Sequence, residues 1–397
     1  MISVEDALAK VLALAQPVVS EDLALRDALG RTLAADALAG LNQPPFAAAT
    51  MDGYALCAVD HHPGQELTVI GEAAAGRSFA GAIVPGQAVR IFTGAPVPTG
   101  AQVVVIQENT TRSGDRLTLG STLDNHDNIR PMGSDFGIGD SLAAPRRLGA
   151  KELGLLAAMN VDRVTVARRP VVAIIATGDE LVMPGENPGP DQILCSNSFA
   201  LAALAREAGA EARMLPIARD TEDSLRFVFG LAEGADLIVT SGGASVGDHD
   251  LVGKVAADLG LERSFYKISM RPGKPLMAGK MGHAAMLGLP GNPVAAIVCA
   301  HLFMLPLLAA MQGLSLDPRR VHPTRKAVLG ADVGPTGTRT HYMRARLSEG
   351  DALPRITPFA MQDSALLRLL SEADALLIRP LGDGPRKAGE TVEYLPI

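Results

Sequence analysis

The spacing of hydrophobic positions changes along this chain and predicts several regions in series. Apolar residues recur at helical spacing behind Ser3, which predicts a helix that ends near Gln16, with Ser3 as its cap. Residues 40–140 instead alternate short apolar runs with Gly and Pro turns, which is typical of a small β-rich region. Helical spacing returns over residues 149–160, so the β-rich stretch interrupts a helical region.

From Pro170 onward, buried-type strands alternate with helices. The predicted strands are 171–176, 212–217, 236–240, 264–270 and 284–289, and the predicted helices are 196–208, 221–232, 250–259 and 293–311. This alternation predicts a parallel sheet with helices on both of its faces. Residues 313–324 read as a linker, and short β runs with Pro and Gly turns follow it.

These patterns predict a multidomain α/β plus β fold. We expect a discontinuous helical N-terminal domain of residues 1–45 and 140–168, with a β-rich domain of residues 46–139 inserted into it. A central α/β domain with a mostly parallel sheet should follow over residues 169–317, and a small C-terminal β domain over residues 322–397.

Composition narrows the classes of function. The 397 residues are 47% hydrophobic and 20% charged, which favours a folded globular protein over a disordered one. Aromatic residues make up only 4%, Trp is absent and the net charge is −7, so we expect no nucleic-acid partner. The three cysteines have no metal-type spacing, which favours a reducing cytoplasm.

The N-terminal segment and the longest apolar stretch of the chain indicate where the protein is located. No basic segment followed by an apolar run stands at the N-terminus, so we expect no secretory signal. The apolar stretch 294–311 approaches the length of a membrane span, but it contains His301 and Pro306 and follows Pro293. We interpret it as a buried core helix and expect no membrane partner.

Residues 236–250 are the most informative stretch for chemistry. An apolar strand runs into Ser-Gly-Gly-Ala-Ser-Val-Gly, and Asp248, His249 and Asp250 follow. Glycines let backbone N–H groups approach an anion closely, and the carboxylates behind them suit Mg²⁺. The stretch predicts a phosphate and Mg²⁺ site, although a plain strand–turn–helix corner has the same local pattern.

Every predicted strand of the α/β region ends in a polar or Gly/Pro-rich loop. These loops are 177–181, 219–220, 241–250, 271–275 and 290–293. Because ligands of open parallel sheets bind at the carboxyl ends of the strands, the loops predict one shared site.

A serine hydrolase is the rival interpretation of the glycine-rich turn. Residues 243–247 fit the G-x-S-x-G pattern of a nucleophile elbow, with Ser245 as the nucleophile. The later histidines, His283 in a Gly-rich turn and His301 within an apolar run, are poor partners for it. An elbow also leads directly into a helix, which this turn does not, so we expect Ser245 to shape a turn.

Six motifs in a fixed order resemble those of the molybdopterin molybdenumtransferase family, to which the E-domain of gephyrin is related. They are Met-Asp-Gly-Tyr-Ala (51–55), Thr-Gly-Ala (93–95), Thr-Gly-Asp-Glu-Leu (177–181), Ser-Gly-Gly-Ala-Ser-Val-Gly-Asp-His-Asp (241–250), Arg-Pro-Gly-Lys-Pro (271–275) and Leu-Pro-Gly-Asn-Pro (289–293). The resemblance spans nearly the whole chain and implies the four-domain layout described above.

The resemblance also implies a reaction. Adenylylated molybdopterin and molybdate would give molybdenum cofactor and AMP, with Mg²⁺ as cofactor. Family members are elongated homodimers, and their site is completed by residues from both subunits, which would bring Asp52 and Thr93 to the α/β site. Molybdopterin adenylyltransferase and other proteins of the cofactor pathway are the further partners implied.

Motif positions carry the family's site residues onto this chain. The catalytic set is Asp52, Thr93, Asp135, Glu180, Asp220, Asp250, Lys267 and Lys274, of which Asp135, Glu180, Asp220 and Asp250 are the candidate metal ligands. The substrate-binding set is Ser241, Gly242, Gly243, Ser245, Gly247, Arg271, Pro290, Gly291, Asn292, Pro293, Arg344 and Ser364. Within these sets, the basic residues would bind the molybdate dianion and the glycine turn would bind phosphate.

Three positions depart from the family pattern. Thr50 stands where we expect Ser, and Arg271 stands where Lys is common, which keeps the charge but changes its geometry. Asp363 precedes Ser364 where we expect Gly. A carboxylate there should repel molybdate unless it points away.

Two other functions stay open. A molybdopterin adenylyltransferase-like enzyme would share the α/β region but generally lacks the Met-Asp-Gly-Tyr-Ala domain and the C-terminal β domain. A gephyrin-like scaffold would use the same fold to bind proteins, against which the retained carboxylates and Lys274 argue.

Overall fold

The computed structural model describes residues 1–243, 251–317 and 323–397. The helices in this part of the chain are α1 (Val4–Leu12), α2 (Ala150–Ala158), α3 (Asn197–Glu207), α4 (Glu222–Leu231), α5 (Leu251–Asp258), α6 (Pro293–Cys299), α7 (Leu305–Met311) and α8 (Leu367–Ser371). A π-helical segment, Ala300–Met304, joins α6 to α7.

Most of the remaining regular structure is short β-strands. In chain order they are β1 (Ser20–Ala24), β2 (Thr32–Leu33), β3 (Ala37–Leu38), β4 (Ala48–Ala49), β5 (Gly53–Leu56), β6 (Glu66–Ala73), β7 (Gln87–Ile91), β8 (Val103–Ile106), β9 (Thr110–Ser113), β10 (Arg116–Leu119), β11 (Ile129–Arg130), β12 (Ser141–Leu142), β13 (Arg146–Arg147), β14 (Arg163–Ala167), β15 (Val171–Ala176), β16 (Leu181–Val182), β17 (Ile193–Leu194), β18 (Glu211–Met214), β19 (Leu237–Ser241), β20 (Leu261–Tyr266), β21 (Met270–Arg271), β22 (Met277–Met281), β23 (Ala284–Leu289), β24 (Arg325–Leu329), β25 (Thr340–Ser348), β26 (Arg355–Pro358), β27 (Ala375–Arg379) and β28 (Thr391–Pro396).

The N-terminal region is discontinuous, as predicted. Its four-stranded sheet has the order β1-β14-β2-β13, so strands from both sides of the β-rich insert pair with each other. Helix α2 packs on this sheet through Leu156, which shares a core with Leu33 and Val166. The pairing of distant segments explains how a whole β-rich region fits between them.

Helix α1 is shorter than predicted and belongs to a different core. The Ser3 hydroxyl accepts a hydrogen bond from the Asp6 N–H at 2.9 Å, as expected for the cap, but the helix ends at Leu12. Its buried face, including Val4 and Val11, packs in the core of the α/β region. The N-terminal helix thus covers the central sheet instead of packing against α2.

The inserted region is a six-stranded sheet with the order β8-β5-β7-β6-β10-β9. Strand β5 shows how it is packed, because alternate residues point to opposite faces of a strand. Tyr54 and Leu56 lie in one apolar cluster, and Ala55 lies in another. Both faces of the sheet are therefore buried at β5, whereas β6 and β10 expose one of their faces.

The central sheet has the order β18-β15-β19-β23-β22-β20 and is mixed. The neighbours from β18 to β23 are parallel, whereas β22 is antiparallel to both β23 and β20. The mostly parallel sheet is confirmed, and its antiparallel strands β22 and β20 lie at one edge.

The antiparallel edge arises from a strand that the sequence did not predict. We expected a strand over residues 264–270, but β20 ends at Tyr266, and Met270 and Arg271 pair with β25 instead. Strand β22 was missed because its Met-Ala-Gly-Lys-Met sequence has no β-branched residue. Gly279 fits there because a Cβ would lie 2.6 Å from the Glu262 carbonyl oxygen.

Helices cover both faces of the central sheet. Side chains alternate between the two faces of each strand, and apolar side chains on both faces have to be buried. On strand β15, Val172 and Ile174 share a core with α3, α6 and α7. Ala173 and Ile175, between and beyond them, pack with α4 and α5 on the other face. The strand ends are thereby held between two rigid layers.

The run from α6 to α7 is a core helix, as predicted. By length and composition Pro293–Met311 could cross a membrane, but 83% of its most apolar 18 residues are buried inside the protein. The π-helical segment that interrupts it stands directly before Leu305 and Pro306, where a proline removes a backbone donor.

The C-terminal region is a small closed barrel. Strands β25, β26, β24, β28 and β27 pair in that order, and β27 pairs again with β25. Strand β21 from the central region adds to β25, with Arg271 opposite His341. This pairing fixes the barrel against the central sheet. The four domain boundaries given above stay predictions.

Candidate functional site

A cleft of about 1230 Å³ lies at the carboxyl ends of the central strands. The chain leaves β15, adds β18 on one side and then β19 on the other, so the strand order reverses beside β15. Ligands of open α/β sheets bind at such a reversal. The predicted residues that line the cleft are Glu180, Asp220, Ser241, Gly242, Gly243, Pro290, Gly291, Asn292 and Pro293.

The loop after β15 is tied to the loop after β18. The Arg219 guanidinium donates to the carbonyl oxygens of Gly178, Asp179 and Leu181 at 3.4, 3.1 and 3.0 Å. In return, the Asp179 carboxylate accepts the Asp220 N–H at 3.1 Å. These bonds hold the two loops that carry Glu180 and Asp220 in one arrangement.

The Ser-Gly-Gly turn after β19 needs its glycines. Gly242 and Gly243 have φ angles of +98° and +65°, which other residues rarely adopt. A Cβ on Gly242 would lie 2.5 Å from the Thr177 carbonyl oxygen, and one on Gly243 would lie 2.2 Å from Val252 Cγ2. The backbone of this turn can therefore come closer to a ligand than a turn with side chains could.

Thr177 supplies a buried hydroxyl beneath this turn. The residue is only 2% exposed, and its Oγ1 finds no hydrogen-bond partner among the described residues. A Cβ built on Gly243 would lie 2.8 Å from that oxygen, so the hydroxyl sits directly under the turn. An unmade hydrogen bond at a buried hydroxyl is costly, and a bound anion would relieve it.

The loop after β23 meets the same turn. The Gly242 N–H donates to the Leu289 carbonyl oxygen at 3.3 Å, and Pro293 begins α6. Asn292 donates from Nδ2 to the Ser364 hydroxyl at 3.0 Å. The Leu-Pro-Gly-Asn-Pro motif thus joins the glycine turn to the C-terminal barrel.

The barrel contributes the far wall of the cleft. Ala365 and Leu367 line it, and the Ser364 carbonyl oxygen accepts the Val294 N–H at 3.1 Å. The Asp363 carboxylate accepts the Ala365 N–H at 2.8 Å, so that oxygen is engaged by its own turn. This hydrogen bond fixes the carboxylate within its own turn, and the repulsion of molybdate by Asp363 stays a prediction.

Arg344 is placed differently from the expectation of an anion-binding side chain. It is 1% exposed, and its guanidinium donates to the carbonyl oxygens of Leu366 and Met361 at 3.1 and 3.3 Å. Burial lowers its pKa. These contacts make it a support for the loop that carries Ser364.

The basic loop between β20 and β22 lies beside the cleft. Pro275 lines it, whereas Lys267, Arg271 and Lys274 are not among the described lining residues. Arg271 and Lys274 are exposed. Lys267 has a φ of +70° and carries its ammonium 4.9 Å from the centre of the Tyr266 ring.

Asp52 and Thr93 pair with each other in the inserted region. The Asp52 carboxylate accepts the Thr93 N–H and the Thr93 hydroxyl, both at 2.8 Å. These two hydrogen bonds, with a smaller contribution from the Arg90 charge, lower the pKa of Asp52. Neither residue lines the described cleft, and neither does Asp135, which is exposed on the segment that pairs with Gln43.

The described carboxylates partly fit a metal. Glu180 and Asp220 are both exposed at the cleft, and no group of three His, Cys, Asp or Glu side chains among the described residues could hold a metal ion. Mg²⁺ commonly takes one or two carboxylates together with substrate phosphates and water. The pair therefore suits Mg²⁺ that arrives with a phosphate ligand. Ser245, Gly247 and Asp250 lie outside the described residues.

Sequence reasoning missed several residues of the cleft. Asn197, the first residue of α3, donates to the Ser241 hydroxyl and to the Gly291 carbonyl oxygen. Lys254 on α5 also lines the cleft, and its Nζ donates to Glu222 Oε1 at 2.5 Å. Ile193 and Leu194 add an apolar wall and are 59% and 47% exposed. Only the helix-start position of Asn197 gave any signal beforehand.

Comparison with known proteins adds three matches to family models. The MoeA N-terminal region (domain I and II) matches residues 2–160, a probable molybdopterin binding domain matches residues 173–310, and the MoeA C-terminal region (domain IV) matches residues 326–397. Together they cover most of the chain.

Individual relatives match over nearly their full length. A molybdopterin molybdenumtransferase of Haemophilus influenzae is 36% identical over 402 residues, covering 100% of this chain and 98% of that protein. One of Nostoc is 35% identical over 381 residues, covering 93% and 86%. The crystal structure of a molybdopterin biosynthesis MoeA protein from Pyrococcus horikosii superposes with a TM-score of 0.82 at 30% identity, covering 100% and 99%.

Proposed function

Because this chain belongs to the MoeA family of molybdopterin molybdenumtransferases, we propose that it inserts molybdenum from molybdate into adenylylated molybdopterin and releases AMP. A transferase role in molybdenum cofactor biosynthesis follows from the family itself. The adenylylated substrate, the Mg²⁺ requirement, the homodimer and the cytoplasmic location are parts of the proposal.

One observation carries the proposal more than any other. The cleft at the strand reversal is lined by a glycine turn and by two exposed carboxylates, Glu180 and Asp220. The turn has no side chains at its two glycines, so its backbone can come close to a ligand. Pyrophosphate binding needs backbone N–H donors, and cleavage of a phosphoanhydride needs its developing negative charge to be stabilised. This arrangement suits both needs.

The residues divide the chemistry between them. The Ser241–Gly243 turn, continued by Ser245 and Gly247, would hold the pyrophosphate, with Thr177 beneath it. Mg²⁺, when bound, would neutralise charge on the phosphoryl oxygens. Glu180 and Asp220 would hold it, with Asp250 and Asp135 as further candidates, and a carboxylate that is not used in this way would orient water or substrate.

Molybdate would be bound by the basic loop. Arg271 and Lys274 are exposed beside Pro275, which itself lines the cleft, and Lys267 stands at the start of the same loop. Cationic donors in a fixed arrangement suit a tetrahedral dianion. Ser364, held by Asn292 on the barrel side, would add a hydroxyl donor.

Asp52 and Thr93 would enter from a second copy of the chain. Within one chain they lie outside the described cleft, although their motif positions place them in the family's site. A homodimer in which the inserted region of one subunit reaches the cleft of the other would resolve this difference. Contacts with molybdopterin adenylyltransferase would supply the substrate.

The alternatives gain no comparable support. An adenylyltransferase-like chain would have no use for the inserted sheet or the barrel, and both are folded here, with the barrel lining the cleft. A pure scaffold would not need a glycine turn whose backbone can closely approach a ligand. The scaffold role could be added to catalysis but does not replace it.

The test is a direct assay. Purified protein is incubated with adenylylated molybdopterin, Mg²⁺ and molybdate, and AMP is followed over time. We expect AMP release that depends on molybdate and is abolished by chelation of Mg²⁺. AMP release at the same rate without molybdate, or no release at all, would refute the proposed activity.

A further inference from the structure

Asn197 stands where three loops of the cleft meet. It is the first residue of α3, and only Cys195 and Ser196 separate it from β17. Its side-chain nitrogen donates two hydrogen bonds, to the Ser241 hydroxyl at 2.8 Å and to the Gly291 carbonyl oxygen at 2.7 Å. One amide therefore bridges the glycine turn after β19 and the loop after β23.

The third loop is joined through the backbone just before Asn197. The Ile193 N–H donates to the Glu180 carbonyl oxygen, and the Cys195 N–H donates to the Val182 carbonyl oxygen, both at 2.8 Å. The segment that leads into α3 is thus paired with the loop that carries Glu180. A shift of Asn197 would move all three loops relative to one another.

The chemistry at this position requires a hydrogen-bond donor. Gly291 offers a carbonyl oxygen, which only accepts hydrogen bonds, so the group facing it must donate. The Oδ1 atom of Asn197 is buried and finds no donor among the described residues, which shows that the orientation is not set by that oxygen. A carboxylate of the same shape would place an acceptor against the Gly291 oxygen.

We propose that Asn197 is a positioning residue that holds the Ser241–Gly243 turn and the Leu289–Pro293 loop at the separation that a diphosphate group requires. It acts through Ser241 and Gly291, and it need not touch the ligand. This inference rests on the proposed function, in that the turn is taken to hold the pyrophosphate of the substrate.

The experiment measures binding of ADP, as a diphosphate probe, in the presence of Mg²⁺ by titration calorimetry. We expect Asn197→Asp to weaken binding at least tenfold, because it removes both donors and adds a negative charge beside the turn. We expect Asn197→Ala, which removes the bridge without adding charge, to weaken binding by a smaller factor. Both variants should retain most of the wild-type melting temperature.

Gln312→Glu is the matched control. The Gln312 amide also donates to two backbone carbonyl oxygens, those of Ala208 and Leu308, both at 2.9 Å, but it does not line the described cleft. This variant should lower the melting temperature while ADP affinity stays within twofold of wild type. A loss of affinity in step with stability in all three variants would mean a merely structural role for Asn197 and overturn the inference.

The two failures can be told apart. Wild-type protein that does not bind ADP would refute the proposed phosphate cradle and the role of Asn197 together. Wild-type protein that binds, with Asn197→Asp binding equally well, would overturn the inference alone. If Asn197→Asp does not fold, unchanged affinity in Asn197→Ala has the same meaning.

Discussion

At the carboxyl edge of the central sheet, residues from several strand-end loops line one cleft, whereas Asp52 and Thr93 in the inserted sheet mainly contact each other. The first group is fixed by cross-loop bonds such as those of Arg219 and Asn197. The second is fixed by two short-range bonds and faces no described cleft. One chain therefore brings the proposed phosphate-binding residues together by itself, whereas the predicted catalytic pair Asp52 and Thr93 lies outside the cleft that the described residues form.

This difference indicates what the central region and the inserted region could each do alone. The cleft has glycine turns and carboxylates, which suit a phosphorylated ligand and its metal. Hydrogen bonds from Thr93 lower the pKa of the Asp52 carboxylate, and this carboxylate does not line the described cleft. We infer that binding resides in the central region and that full activity needs both regions.

The largest effect is expected from Gly242→Ala. The new Cβ would lie 2.5 Å from the Thr177 carbonyl oxygen at a φ of +98°, so the turn must move. Alanine held at this φ costs about 1–3 kcal/mol, which the turn avoids by shifting out of place, so ADP binding should weaken by about tenfold or more and AMP release should fall to background.

Gly154→Ala is the control for this change. Gly154 lies in α2, where a Cβ would meet nothing within 4 Å. Alanine is the better helix former by about 1 kcal/mol, so this variant should be slightly more stable and fully active. Normal ADP binding by Gly242→Ala would contradict the cradle.

Asp220→Asn is expected to have the next largest effect. The amide keeps the shape but removes a charge from the cleft, and molybdate-dependent AMP release should fall by about 100-fold. Asp223→Asn, a nearby acidic residue in the first turn of α4 that does not line the described cleft, should keep near-normal activity. Equal activities of the two variants would remove Asp220 from the site.

The last effect concerns stability and leaves the cleft untouched; it comes from His341, where β21 pairs with the barrel. Burial, followed by the charges of Arg271, Arg379, Arg339 and Arg344, lowers its pKa to about 4 from 6.5. Between these values the unfolded chain binds a proton that the folded chain does not, so stability present above pH 6.5 is lost as pH falls toward 4. The loss from this group is up to about 3 kcal/mol.

His341→Gln removes that titration. We expect the free energy of unfolding of the variant to depend less on pH than that of wild type between pH 6.5 and 4. The comparison is made by denaturant unfolding at several pH values. Parallel curves for the two proteins would show that His341 is not held neutral by its surroundings.

Local sequence patterns predicted most of the cleft, and the reason is physical. Strand-end loops must reverse the chain, so glycine, proline and polar residues accumulate there, and a parallel sheet brings those ends to one edge. Glu180, Asp220 and Gly242 were all found in this way. The order of the six motifs along the chain then indicated the protein family.

Long-range contacts could not be predicted in the same way. Asn197 bonds to residues 44 and 94 positions away, and its own sequence context indicates only a helix start. Strand β22 lacks β-branched residues and is defined by its neighbours in the sheet. Arg344 was expected to bind an anion because of its motif, yet packing buries it against two carbonyl oxygens.

The most direct test of the account mixes two variants that are each expected to be inactive, Asp52→Asn and Asp220→Asn, and lets their subunits exchange. If the inserted region of one subunit completes the cleft of the other, mixed dimers gain one intact site. Statistical pairing then gives about a quarter of wild-type molybdate-dependent AMP release. A mixture of Asp220→Asn and Glu180→Gln, which damage the same cleft, should stay inactive. No recovery in the first mixture after proven subunit exchange would contradict the shared site.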